Sequence, residues 1–293
     1  MGRLKAYLTI SCAVNPSAGR EKEYALVPAL KNKKIMVVGG GVAGCEAARV
    51  LAERGYEVEL FEKSGQLGGN LIPGGAPDFK ADDKALVAWF IQELAALKVK
   101  IHYHVNVTAK QVRDVQADAV IIATGATPRR LNLGNNQKVY LAADILTGKE
   151  DAGDRTVIIG GGLVGCETAL MLVKQGKKVT VVEAMDDILC SGAPLCHANS
   201  EMLVDLLHFY KVGICTVTKA VRATNEGLVI EKNGVEETIV ADSVIVSVGY
   251  NANQTFFNEV RRVVPEAYLL GDARKVSNIM YAIWDAFEVA RNL

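Results

Sequence analysis

Two glycine clusters carry the clearest chemistry in this sequence. Gly39-Gly-Gly41-Val42-Ala43-Gly44 and Gly160-Gly-Gly162-Leu163-Val164-Gly165 both fit G-x-G-x-x-G, and each is followed by a carboxylate, Glu62 or Glu183, 23 residues after its first glycine. In such a motif the first glycine permits a tight turn out of a strand. The second lets bare backbone approach a pyrophosphate, and the third lets a helix pack closely on the strand. Phosphates would meet free backbone N–H groups and the positive end of a helix dipole. An acid about 20 residues further on is placed to accept hydrogen bonds from an adenosine ribose. A lone motif of this kind is equally compatible with a turn that binds nothing. Two copies, each with its acid, predict two dinucleotide sites.

The elements that must position these residues repeat as well. Residues 35–62 and 156–183 align without a gap at an offset of 121, with eleven of 28 positions identical. A short apolar run (35–38 or 157–159) suits a strand buried on both faces of a parallel sheet. Small and apolar residues then recur at helical spacing up to Gly55 or Gly176, where a helix would end, and a second strand closes on the acid. Each copy therefore reads as a beta-alpha-beta unit. Between residues 228 and 240, Asn233-Gly234 predicts a hairpin with a scaffold role.

Composition agrees with small-molecule chemistry. The 293 residues suffice for about two domains. The 33 basic and 33 acidic side chains leave no net charge to attract nucleic acid or an anionic membrane. Half the residues are apolar, yet no apolar run is long enough for a membrane span and no signal peptide is evident. Six cysteines in a chain this long form no dense disulfide framework, which points to a reducing cytoplasm.

Ser64-Gly-Gln66-Leu-Gly68-Gly69, the apolar strand ending in Ala123-Thr124-Gly125, and Tyr268-Leu-Leu-Gly271-Asp272-Ala follow in order. With these motifs the chain resembles the two-dinucleotide-binding-domain flavoproteins over residues 33–293. The resemblance implies an α/β fold of two Rossmann-like three-layer domains. An NADH domain (144–243) would be inserted in a discontinuous FAD domain (33–143 and 244–293). It implies that Glu62 holds the FAD adenosine ribose, that Ala123-Thr124-Gly125 marks the crossing between domains, and that Gly271-Asp272 contacts the FAD pyrophosphate and ribitol. Lys63, Gln66, Gly68, Gly69, Val107 and Gly249 complete the implied cofactor-binding set. The second motif, with Glu183, would take the nicotinamide cofactor. Glu183 would repel a 2′-phosphate, and the following Ala-Met-Asp-Asp-Ile-Leu holds no cation to neutralise one, so NADH is expected over NADPH. Hydride transfer between NADH and flavin needs alignment and no acid–base pair, and no catalytic side chain is singled out.

Relatives in this flavoprotein group often use a C-x-x-x-x-C or C-x-x-C redox disulfide, and neither spacing occurs. Cys45 and Cys166 follow the third motif glycines, where a small side chain packs between helix and sheet. Cys190 and Cys196 read as exposed thiols or an adventitious pair. His102 and His104 alternate on a predicted strand and would share a face, but no supporting ligand accompanies them, so no metal site is expected.

Residues 1–32 stand outside the repeat. Ile10 to Glu21 resembles the segment preceding the FAD domain in the family of 2,4-dienoyl-CoA reductase, 2-enoate reductase and related NADH:flavin oxidoreductases. In that family the cysteine matching Cys12 is the last of four thiolates on a [4Fe-4S] cluster, downstream of an FMN-binding TIM barrel. A barrel takes about 250 residues, whereas only 11 precede Cys12 and the other three thiolates are absent. The expectation is an FAD/NADH portion of a longer enzyme, with residues 1–32 as a linker remnant of the iron–sulfur segment. The missing barrel and cluster would be its partners. No motif decides whether the parent forms a homo-oligomer. Two other readings remain: a nucleotide-binding module holding ADP, as in trimethylamine-dehydrogenase-like proteins, and a stand-alone NADH-dependent reductase of a separate acceptor.

Overall fold

The computed structural model describes residues 10–134, 138–193 and 195–293. The described residues fall into two units, one within 10–72, 82–127 and 251–293 and the other within 73–81 and 128–250.

In the first unit β1 (Lys34–Val38) leads through α1 (Val42–Glu53) to β2 (Glu57–Phe61). Then come α2 (Leu71–Gly74), α3 (Ala81–Ala96), β3 (Lys100–His102), α4 (Ala109–Val115) and β4 (Ala119–Ile122). The chain leaves and re-enters through β5 (Ala126–Pro128) and β14 (Tyr250–Ala252), which pair as a ribbon. The second unit supplies β6 (Val139–Leu141), α5 (Ala142–Leu146), β7 (Arg155–Ile159), α6 (Leu163–Lys174), β8 (Lys178–Val182), α7 (His197–Phe209) and β9 (Gly213–Cys215). Its remaining strands are β10 (Lys219–Ala223), β11 (Gly227–Lys232), β12 (Val235–Val240) and β13 (Ser243–Val246). The first unit closes with α8 (Thr255–Val260), β15 (Ala267–Leu269), a 3-10 turn (Gly271–Ala273) and α9 (Ile279–Asn292).

The first sheet has the order β15-β4-β1-β2-β3 and the second β6-β13-β7-β8-β9, and every pairing in both is parallel. Strand order reverses beside β1 and beside β7, the switch points at which such sheets bind ligands at their carboxyl edge. Alternation places the core. Ile35 and Val37 pack with α1 and α9, while Met36 and Val38 pack on the opposite face with Val112 of α4 and Val260 of α8. In the second unit Ile158 faces α6 and α7, whereas Val157 and Ile159 face Leu228 and Ile230 of the antiparallel β10-β11-β12 sheet. Each such fully buried aliphatic side chain contributes about 1.5–3 kcal/mol. Both units are thus three-layered, as the resemblance implies. The hairpin turn falls at Asn233-Gly234 with φ of 54° and 77°.

Two expectations are corrected. The units divide at 127/128 and 250/251, not at 143/144 and 243/244, because β6 pairs with β13 and both belong to the inserted sheet. His102 ends β3 and His104 takes φ 58° in the turn beyond it, so the two do not alternate along a strand. His102 instead stacks on Phe61 and bonds Glu59 at 2.8 Å. Residues 10–29 are seated against α1 and α9: Trp284 Nε1 donates to the Cys12 carbonyl at 3.0 Å and Arg54 Nε to that of Val27 at 2.9 Å.

Candidate nucleotide-binding sites

Gly39 leaves β1 with φ 106°, a conformation other residues rarely adopt, and a Cβ there would overlap the Ala123 carbonyl oxygen. Gly160 leaves β7 with the same φ, its Cβ position blocked by the Ser247 carbonyl oxygen. At the third glycines, Gly44 and Gly165, a Cβ would overlap the carbonyl oxygens of Gly39 and Gly160. Helix and strand touch backbone to backbone there.

The middle glycines differ. Gly41 and Gly162 are the N-caps of α1 and α6, with φ of −75° and −71° that any residue adopts and no side-chain cap. A Cβ on Gly41 would have only Gly69 Cα nearby, at 3.9 Å, and one on Gly162 only Ser191 Oγ, at 3.6 Å. Neither strain nor packing within the chain requires glycine at these positions. Both helix starts therefore stay bare backbone, open enough for a pyrophosphate to approach.

The carboxylates seat themselves identically. Glu62 is buried and accepts from Gly40 N at 2.7 Å and from Ser64 N at 2.7 Å, one bond to each oxygen. Glu183 accepts from Gly161 N at 2.6 Å and from Met185 N at 2.8 Å. Each oxygen keeps a lone pair for a ribose hydroxyl. Beyond them the repeat continues where the residue types diverge. Gly68 N donates to Gly40 O and Leu189 N to Gly161 O, both at 2.8 Å. Gly68 (φ 111°) and Leu189 (φ 60°) each follow a buried side chain, Leu67 or Ile188, packed over the middle of the glycine turn.

The opposite wall of each cradle comes from the strand across the switch point. Ala123 N donates to Val38 O, and Ser247 N to Ile159 O, both at 2.8 Å. Gly125 (φ 64°) and Gly249 (φ 90°) then turn into open space. Asn253 holds the first of these loops: its Nδ2 donates to Thr124 O at 3.1 Å, and Thr124 Oγ1 donates to Asn253 O at 3.2 Å. No sequence signal marked Asn253. The Gly271 turn lies directly on the first turn of α1, since a Cβ on Gly271 would sit 2.7 Å from Ala43 Cβ. Burial raises the carboxyl of Asp272, which accepts from Ser277 N at 3.0 Å. Gly271 N donates to Asp285 Oδ2 at 2.8 Å, another contact without a sequence signal. Lys63 and Gln66 are exposed, Gly69 borders Gly41, and Val107 is buried in the apolar layer with Met36 and Val38.

All six cysteines are free. Cys45 and Cys166 are buried, each thiol donating at 3.3 Å to the carbonyl of the residue after the first motif glycine, Gly40 or Gly161. Burial pushes both up to about 12.

A doubled parallel-sheet fold with two open glycine turns, each followed by a carboxylate at the end of the next strand, is the architecture of dinucleotide-binding oxidoreductases. The chain belongs to the pyridine nucleotide-disulphide oxidoreductase family, which matches residues 33–274. It is 52% identical over its whole length to the cinnamate reductase of Clostridium sporogenes, covering 44% of that protein. With the NADH oxidase of Thermoanaerobacter brockii it shares 35% identity over 99% of this chain and 45% of the other. The solved complex of 2-naphthoyl-CoA reductase with 2-naphthoyl-CoA superposes on 99% of this chain and 44% of that one, with a TM-score of 0.92 at 30% identity. The chain thus spans less than half the length of these relatives. The family and the NADH oxidase relative imply FAD and NAD(H) as the nucleotides. Among the described residues no helix is long and apolar enough to cross a membrane.

Proposed function

We propose that this chain is an electron-input oxidoreductase, in which bound NADH would supply a hydride, and bound FAD would accept it and release electrons singly towards an iron–sulfur and FMN partner of enoate- or dienoyl-CoA-reductase type. The observation that carries the reading is the pair of middle glycines, each open where the chain has no use for openness and each beside a half-satisfied carboxylate. The first cradle is assigned to FAD: Glu62 would take its adenosine ribose, and the Gly271-Asp272 turn on Ala43 would take its pyrophosphate and ribitol. The second cradle is assigned to NADH. Glu183, followed by Asp186 and Asp187 with no cation before Leu189, would repel the extra phosphate of NADPH. The names of the cinnamate and 2-naphthoyl-CoA reductases support an unsaturated acid or thioester as the final acceptor, reduced on the partner.

The test is anaerobic addition of NADH to FAD-loaded protein. Flavin bleaching at substoichiometric NADH, slower with NADPH, is expected. Protein that takes up no FAD and releases only ADP on denaturation is a nucleotide-binding module instead.

A further inference from the structure

Two neighbouring residues of α9 reach in different directions to different parts of the first unit. Trp284 Nε1 donates to the carbonyl of Cys12 at 3.0 Å, and Asp285 Oδ2 accepts from Gly271 N at 2.8 Å. Asp285 also pairs with Arg274 Nη2 at 2.5 Å, its side chain only 13% exposed. One helical turn therefore joins the segment at residues 10–29 to the turn assigned above to the flavin nucleotide.

That segment has no regular secondary structure and is held by cations and rings. The Arg20 guanidinium lies 3.9 Å from the Tyr24 ring centroid and 4.9 Å from that of Trp284, and it donates to Pro16 O at 2.9 Å. Tyr24 stacks on Phe287 at 5.9 Å with 7° between planes, and Arg291 covers its ring at 4.2 Å. Glu288 accepts the Tyr24 hydroxyl, which raises the phenol, and Arg291 Nη1 donates to Glu23 O at 3.2 Å. Trp284, Phe287, Glu288 and Arg291 recur at helical spacing, so α9 presents a complete face to this strap while Ile283, Ala286 and Ala290 face the core.

We propose that Trp284 and Asp285 are a positioning pair that couples the seating of residues 10–29 to the Gly271-Asp272 turn, so that FAD binding and strap docking stabilise each other. The proposal rests on the assignment of the first cradle to FAD. If α9 shifts when the strap leaves, Asp285 withdraws from Gly271 N, and the turn loses its register against Ala43 at the helix start. Coupling of this kind is reciprocal: whatever factor the docked strap adds to FAD affinity, FAD must add to strap docking.

The experiment measures both halves. Hydrogen exchange of the full chain is compared with and without FAD, and FAD affinity is measured for wild type, Trp284→Phe and Arg20→Ala. Trp284→Phe keeps a ring for Arg20 and removes the indole donor with part of the ring. Arg20→Ala loosens the strap without removing either of the two helix hydrogen bonds, so it serves if the first variant unfolds. FAD is expected to slow exchange in residues 10–29, and each variant to speed it and to weaken FAD by three- to tenfold. Asp285→Ala should weaken FAD by at least as much and speed exchange in the strap, with Asp285→Glu recovering part of both. FAD binding that leaves exchange in residues 10–29 unchanged, or a loosened strap with unaltered FAD affinity, overturns the coupling alone. Wild-type protein that binds no FAD overturns the function reading and the coupling with it.

Discussion

At Gly44 a Cβ would overlap the Gly39 carbonyl oxygen, whereas at Gly41, three residues earlier, the nearest atom to one is 3.9 Å away. Their alanine variants should therefore fail differently. Gly44→Ala is expected to cost about 1–3 kcal/mol in thermal or denaturant unfolding, because helix and strand must separate to admit the methyl. Gly41→Ala, at an ordinary φ with room for the methyl, is expected to change apo stability by less than about 1 kcal/mol, the unfolded-state gain being offset by the loss of glycine from an N-cap. The thiols make a second residue-scale prediction. With Cys45 and Cys166 buried and pushed up to about 12, a thiol reagent near neutral pH should label the exposed Cys196 promptly, and Cys190, its thiol raised by its surroundings and by the Asp187 and Asp186 carboxylates, more slowly. It should reach Cys45 and Cys166 only after denaturation. Prompt loss of both buried thiols in native protein would reopen a redox role for them.

Among the elements, the strand-turn-helix-strand repeats were legible because local spacing dictates them: the two glycine turns, the helix ends at Gly55 and Gly176, and the hairpin at Asn233-Gly234. The short strand β6 was not, since three residues carry no period, and only its parallel pairing with β13 assigns it to the second sheet. The seating of residues 10–29 escaped for a related reason: Trp284 and Cys12 are 272 positions apart. Asp242 and Arg155 show how such distant pairs fix strand starts. Asp242 accepts from Arg155 N at 3.0 Å and from its Nη2 at 2.6 Å, clamping the head of β13 to the head of β7. The Arg155 side chain pulls the Asp242 carboxyl down to about 2, against 3.8 when unperturbed. A carboxyl lowered in the folded state binds its proton more readily unfolded, so the clamp contributes fully above pH 3.8 and is lost as pH falls towards 2. Asp242→Asn should flatten the acid limb of a melting-temperature profile in that window. A profile that keeps its full slope there assigns the acid sensitivity to other carboxylates.

For the molecule as a whole, the internal repeat was readable over residues 35–62 and 156–183, yet it runs further in space than in sequence. Leu67 and Ile188 occupy equivalent positions over the two glycine turns, and Gly125 and Gly249 end equivalent strands. Packing and φ preserve those positions while the identities drift, so alignment alone loses them. Two complete cradles, each in a unit with its own buried clusters, predict two separable ligand responses. A ligand that binds only native protein raises stability by about 2.7 kcal/mol at 100 times its dissociation constant. FAD should therefore raise the unfolding temperature of the first unit and NADH that of the second. Gly41→Ala should cut the FAD shift to about half or less and keep the NADH shift, while Gly162→Ala should do the reverse, each weakening its own nucleotide at least tenfold by calorimetric titration. If one substitution removes both shifts, the two cradles are not independent sites, and the assignment of one nucleotide to each unit fails.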